Sequence, residues 1–135
     1  MKIILLFAFC LFFNLISCSF QIETIKDYYL NIEKSITIGS PLFQVSTGRK
    51  PKTYPKILSG YGYEMIYVGC IDGRLKLLYR EYTIDETNYY IKGEFSQLYE
   101  YDLTKSKQIS FRQFIIRVKN CDNEYLNYII ISDNL

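Results

Sequence analysis

The sequence predicts an all-β domain, a small antiparallel sandwich or partly closed barrel of six to seven strands, set behind a cleaved N-terminal leader. Three observations predict it. Apolar and polar residues alternate with period two over residues 89–103 and in shorter runs on either side. The runs are joined by short polar segments, which favour antiparallel neighbours. No long stretch beyond the leader carries a helical apolar period.

The leader comes first. Met1 and Lys2 give a positive start, residues 3–13 are an unbroken apolar run, and Ser17, Cys18 and Ser19 are small. Charge, apolar core and small-residue cleavage zone make a signal peptide. The run falls well short of the roughly 20 residues that cross a bilayer as a helix. A buried core helix is the alternative, but such helices carry a polar face and this run has none. Leu15-Ile16-Ser17-Cys18 resembles the lipobox of bacterial lipoproteins. There the thiol takes a diacylglyceryl group, the peptide is cut before the cysteine, and the new amino terminus is acylated. Two or three acyl chains anchor stably where one is reversible. The resulting expectation is a leader over 1–17, a lipidated Cys18 and tether over 18–34, and a β domain over 35–135. Ser19 after the cysteine favours the outer membrane. Cleavage after Ser19 would instead release a soluble, secreted product.

Residues 19–34 read as tether plus a short strand or helical turn. Residues 35–46 alternate as a strand, with Ile36 and Ile38 on one face; Gly39-Ser40-Pro41 interrupts it, the mark of a bulge or an edge, and Phe43 and Val45 resume with shifted parity. Residues 47–56 hold Arg49, Lys50, Lys52 and Lys56 with two prolines and read as a loop. That loop is either simply solvated or a contact for an anionic glycan or headgroup. Residues 63–70 and 74–83 flank Asp72-Gly73, a hairpin signal because the turn needs positive φ. Leu75, Leu77 and Tyr79 share one face there, and Lys76, Arg80 and Tyr82 the other. Residues 89–103 place Tyr89, Ile91, Phe95, Tyr99, Tyr101 and Leu103 on one face, as a strand or a strand pair broken near Gly93. Residues 108–119 form a strand whose parity flips between Phe111 and Phe114, as a bulge at Arg112-Gln113 would cause. Residues 125–132, YLNYIIIS, form the last strand.

Composition sets limits on function. A chain of 135 residues holds one domain, and 49% apolar with 22% charged is ordinary for a globular one. A net charge of +2 gives no electrostatic grip on nucleic acid or anionic lipid. With no histidine there is no imidazole for general-base work near neutral pH or for metal ligation. No phosphate-binding glycine loop, zinc spacing or hydrolase elbow is present. The expectation is a non-enzyme without cofactor or metal.

Cys10 lies in the leader and Cys18 is the lipid site, leaving Cys70 and Cys121. In an oxidising compartment these form one disulfide, or else remain two separate buried thiols. The fourteen tyrosines suit carbohydrate stacking, and equally suit strand cores. Tyr79, Arg80 and Tyr82 are the candidate ligand face. Arg80 would clamp a carboxylate or phosphate, or pair across strands with Glu94 or Glu100.

Taken in order, EMIYVG (64–69), LKLLYREY (75–82), FSQLYEYDL (95–103) and QISF (108–111), with IGSPLFQV (38–45) upstream, resemble an uncharacterised family of small bacterial lipoproteins. The resemblance covers most of residues 36–132 and implies a lipid-anchored β domain with no assigned activity. Cys70 and Cys121 are not part of its pattern. The expected role is a non-enzymatic envelope module, tethered to the membrane by its lipid, that binds an envelope protein or polymer. An inhibitor of a periplasmic hydrolase such as lysozyme is the alternative.

Overall fold

The computed structural model describes residues 20–135, and all regular structure in them is β. Nine strands run as β1 Phe20–Lys26, β2 Glu33–Thr37, β3 Pro41–Pro51, β4 Ser59–Ile71, β5 Arg74–Asp85, β6 Asn88–Asp102, β7 Gln108–Phe111, β8 Phe114–Cys121 and β9 Tyr125–Ser132. They form two antiparallel sheets, β1-β3-β4-β5-β6 and β2-β9-β8-β7. The sheets face each other as an open sandwich, not a barrel.

The strand count exceeds the six to seven expected, for three local reasons. First, the strand that is one alternative within residues 19–34 is present as β1 and takes up residues 20–26, which are therefore not tether. Ile22, Thr24 and the rest of β1 pair along β3 in unbroken register. Second, the run across Gly39-Ser40-Pro41 is not one strand with a bulge. It is the crossing from one sheet to the other, so that β2 pairs with β9 and β3 with β1 and β4. Gly39 sits at φ 81 in this crossing, a conformation glycine adopts without cost. Third, Arg112-Gln113 is not a bulge but a two-residue turn, closed by the Phe111–Phe114 pair, with Arg112 at φ 48. The basic segment also differs from expectation: β3 continues through Pro51, and only residues 52–58 are loop.

The core lies between the sheets. Phe43, Val45, Met65, Tyr67, Leu75, Leu77 and Tyr79 point inward from the large sheet, against Ile109, Phe111, Phe114, Ile116, Val118, Leu126, Tyr128 and Ile130. Phe43 stacks on Phe114 with centroids 3.9 Å apart, and Tyr28 closes edge-on against both. The Tyr128 hydroxyl donates to the Leu42 carbonyl at 2.5 Å, so this buried phenol bridges the sheets with its polar end satisfied.

The four-stranded sheet is shorter than the sheet it covers. Its β7–β8 turn rests on β4 and β5, where the Gln113 amide donates to the Tyr63 hydroxyl at 2.8 Å and Arg112 reaches Glu81. Beyond that point the large sheet continues alone. One residue from each of its strands, Thr24, Thr47, Tyr61, Thr83 and Tyr90, forms an uncovered row on the inner face. Tyr61 and Tyr90 are more than half exposed there, at 59% and 55%.

On the outer face of the same sheet, the β3–β4 loop folds back and buries Ile57 against Tyr82 and Ile84. Gly62 makes room for this small second core. A Cβ on it would stand 2.5 Å from the Tyr82 ring, so only glycine lets the ring lie flat on the sheet.

Candidate functional site

Tyr79, Arg80 and Tyr82 do not share one face. Successive side chains of β5 alternate, so Tyr79 points into the sandwich while Arg80 and Tyr82 lie on the outer face.

Tyr79 stands at the edge of the core, in contact with Tyr63 and Phe111. Its hydroxyl donates to Glu81 Oε1 at 2.7 Å. Burial, together with that bond to a carboxylate, pushes the phenol well above its ordinary pKa. The Arg112 guanidinium lies 4.4 Å from the centre of the Tyr79 ring and 3.4 Å from Glu81 Oε1. A positive φ at Arg112 turns its side chain toward this corner.

The neighbouring strand opens the corner into a cleft. β6 pairs Gln97 with Tyr79 and then Lys92 with Glu81, so three more residues pass on β6 than on β5. The extra chain, residues 93–96, bows away from β5. It leaves a cleft of about 280 Å³ lined by Tyr79, Glu81, Glu94, Phe95, Ser96, Gln97 and Arg112. Phe95 is half exposed, with the Lys92 ammonium 5.7 Å from its ring centre. The cleft thus offers an aromatic face, a guanidinium, two carboxylates, an amide and a hydroxyl. That inventory suits hydrogen bonding to a polar chain bearing hydroxyls or amides.

The same three-residue excess explains a difference from the alternation read in the sequence. An odd insertion swaps faces. Tyr89 and Ile91 pair with Ile84 and Tyr82 on the outer face, while Tyr99 and Tyr101 pair with Leu77 and Leu75 on the inner face.

Arg80 is engaged by a residue the sequence did not point to. Its Nη2 and Nε donate to Glu64 Oε1 at 2.6 and 3.0 Å. Glu94 is not the partner, and Glu100 pairs with Arg74 at 3.1 Å. The Glu64 carboxylate is 11% exposed, so the pair sits within the outer face. Tyr82 is buried there. Its hydroxyl shares a 2.9 Å hydrogen bond with Ser46 and also donates to the Val45 carbonyl, and burial raises its pKa to about 12. Arg80 and Tyr82 therefore hold the sheet together, and of the three candidates Tyr79 alone borders the cleft beside β6. Arg112, Glu81 and Phe95 complete it. The signal for Arg112 was present, an arginine between two phenylalanines, but it was legible only once the hairpin was known.

A second cleft, of about 350 Å³, lies at the far end of the sandwich beside the Cys70–Cys121 disulfide. That bond ties β4 of the large sheet to β8 of the small one. Lys107, Lys119, Asp72 and Asp122 surround it. The Asp122 carboxylate accepts the Tyr125 and Glu124 amides at 2.7 Å each, which holds it below the usual carboxylate range.

Among the described residues no group of histidine, cysteine and carboxylate side chains could hold a metal ion. No helix among them is long and apolar enough to cross a membrane. The leader over 1–17 and Cys18 lie outside the described residues. No family model, curated protein or solved structure matches the chain.

Proposed function

We propose that the chain is an exported lipoprotein, acylated at Cys18, whose β-sandwich binds an envelope protein or polymer without catalysing a reaction. The observation that carries this reading is the Cys70–Cys121 disulfide between the two sheets, in a chain that opens with an apolar leader ending Leu-Ile-Ser-Cys. A disulfide of this kind persists outside the reducing cytoplasm. The leader and the bond thus point to the same compartment by independent chemistry.

The cleft at Tyr79 and Arg112 is the proposed contact for the partner. Glu81 there accepts from both Tyr79 and Arg112 through Oε1, an arrangement that fixes the carboxylate and the two side chains around it. Phe95 supplies a stacking face that a flexible polymer or a partner side chain can cover.

A photo-crosslinking residue at position 95 tests the proposal in intact cells. The expected result is a discrete adduct with one envelope component, weakened by Arg112→Ala. Recovery of a hydrolase would move the reading toward an inhibitor. Absence of any adduct from properly localised protein would remove the binding role.

A further inference from the structure

We infer that the end of the sandwich carrying Phe20, the β3–β4 loop and Tyr54 lies directly on a bilayer that presents anionic headgroups. This inference rests on the proposed acylation of Cys18 and says what that anchor does to the orientation of the domain.

Chain length sets the first constraint. β1 starts at Phe20, two residues after Cys18, and it is locked into the large sheet from its first pair, Phe20 with Pro51. Two extended residues reach at most about 7 Å. An acyl chain on Cys18 therefore cannot hold the domain at a distance, and whichever surface surrounds Phe20 meets the headgroups.

That surface has the matching chemistry. Phe20 and Ile22 on β1 are exposed at 51% and 80%, and Tyr54 in the loop is also exposed. Arg49, Lys52 and Lys56 are exposed beside them. Lys50 pairs with Glu23 at 2.8 Å. The other acidic residues of this end, Asp85 and Glu86, sit at the β5–β6 turn, whose Thr87 amide donates to the Leu58 carbonyl of the β3–β4 loop; Arg49 and Lys52 lie on the side of β1, two strands from them. Arg49 and Lys52 are thus the cations beside the anchor, and Lys56 follows further along the same loop. Exposed apolar and aromatic side chains among lysine and arginine are what a headgroup layer accepts, the rings entering the acyl boundary and the cations meeting phosphates.

The opposite end is far from the anchor. β4 spans 13 residues, on the order of 40 Å at the usual strand rise, and ends at the disulfide. With the Phe20 end down, the disulfide cleft faces away from the membrane and the Tyr79 cleft stands midway, open to a partner at the side.

The chain has no tryptophan, so a single reporter is free of background. Tyr54→Trp marks the proposed membrane end, and Ile71→Trp, at an exposed position, marks the other. Each full-length, processed protein is reconstituted into vesicles of phosphatidylcholine and phosphatidylglycerol with brominated acyl chains, and its intact mass is recorded. The expected result is quenching of Tyr54→Trp at least about twofold stronger than of Ile71→Trp, since brominated chains reach only side chains seated in the interface. Adding Arg49→Glu, Lys52→Glu and Lys56→Glu, or using phosphatidylcholine alone, should weaken the quenching of Tyr54→Trp while leaving it above that of Ile71→Trp, because the anchor still holds that end at the surface; no change would show that the cations do not meet headgroups. An acylated protein with equal quenching at both ends overturns the docking and leaves the anchor standing. A mass without acyl chains removes the anchor and the docking together.

Discussion

Glu64 and Arg80 set the balance of charge on the outer face of the large sheet. The guanidinium places two donors on one carboxylate oxygen, and the carboxylate is mostly withdrawn from water. Removing one member leaves the other stranded, which costs more than the pair itself contributes. Arg80→Ala should lower stability by about 2 kcal/mol, read as a shift in the urea midpoint, and Glu64→Gln added to it should recover part of the loss. An unchanged midpoint would mean that the pair is solvated. Asp122 makes a different case. Its carboxylate is held low by the Tyr125 amide first and the Glu124 amide second. A carboxylate with a lowered folded pKa adds stability above its unfolded pKa, and that stability is lost as pH falls through the folded value. Asp122→Asn keeps an acceptor but removes the titration. The variant should be less stable at neutral pH and should lose less of its stability below about pH 4, as followed by circular dichroism.

Turns decide the behaviour of the strands. Asp72 and Gly73 both adopt positive φ, at 51 and 74, and the Asp-Gly dipeptide announces such a turn in the sequence. The β5–β6 turn has the same two-residue form with Glu86 at 48 and Thr87 at 71, and nothing in its sequence relieves the cost. A β-branched residue in the left-handed region is strained by roughly 1–2 kcal/mol. Glu86→Asn with Thr87→Gly should therefore raise stability by about 1 kcal/mol, visible as a higher thermal midpoint. A lower midpoint would show that contacts of Thr87 offset its strain. Strand identity was legible where alternation ran unbroken, as in β5 from Leu75 to Tyr79, and in β9 from an apolar run that left its inward face open; the structure turns Leu126, Tyr128 and Ile130 inward. It failed where an odd number of residues enters. The excess chain at residues 93–96 moves Tyr89 and Ile91 to the face opposite Tyr99, and alternation alone carries no record of it.

For the molecule as a whole, the two sheets, their antiparallel pairing and the Cys70–Cys121 bond agree with the sequence reading. The candidate site was legible only in part. Tyr79 lines a cleft, but its other walls come from Glu94 and Phe95 on β6 and from Arg112 in the β7–β8 turn, joined by tertiary pairing that no local pattern encodes. The same holds for Glu64, which meets Arg80 only because β4 and β5 align them. The disulfide closes a separation of 51 residues between the sheets. Chain-entropy arguments give it up to about 4 kcal/mol. Cys70→Ser with Cys121→Ser should lower the denaturation midpoint accordingly, and a loss under about 1 kcal/mol would mean that packing alone holds that end.

The most direct test is the intact mass of the protein drawn from its native membranes under non-reducing conditions. A chain beginning at Cys18, heavier by its acyl groups and lighter by the two hydrogens lost on joining Cys70 to Cys121, is the predicted result. A chain still carrying residues 1–17, with free thiols and no lipid, would contradict export, anchoring and the envelope role at once.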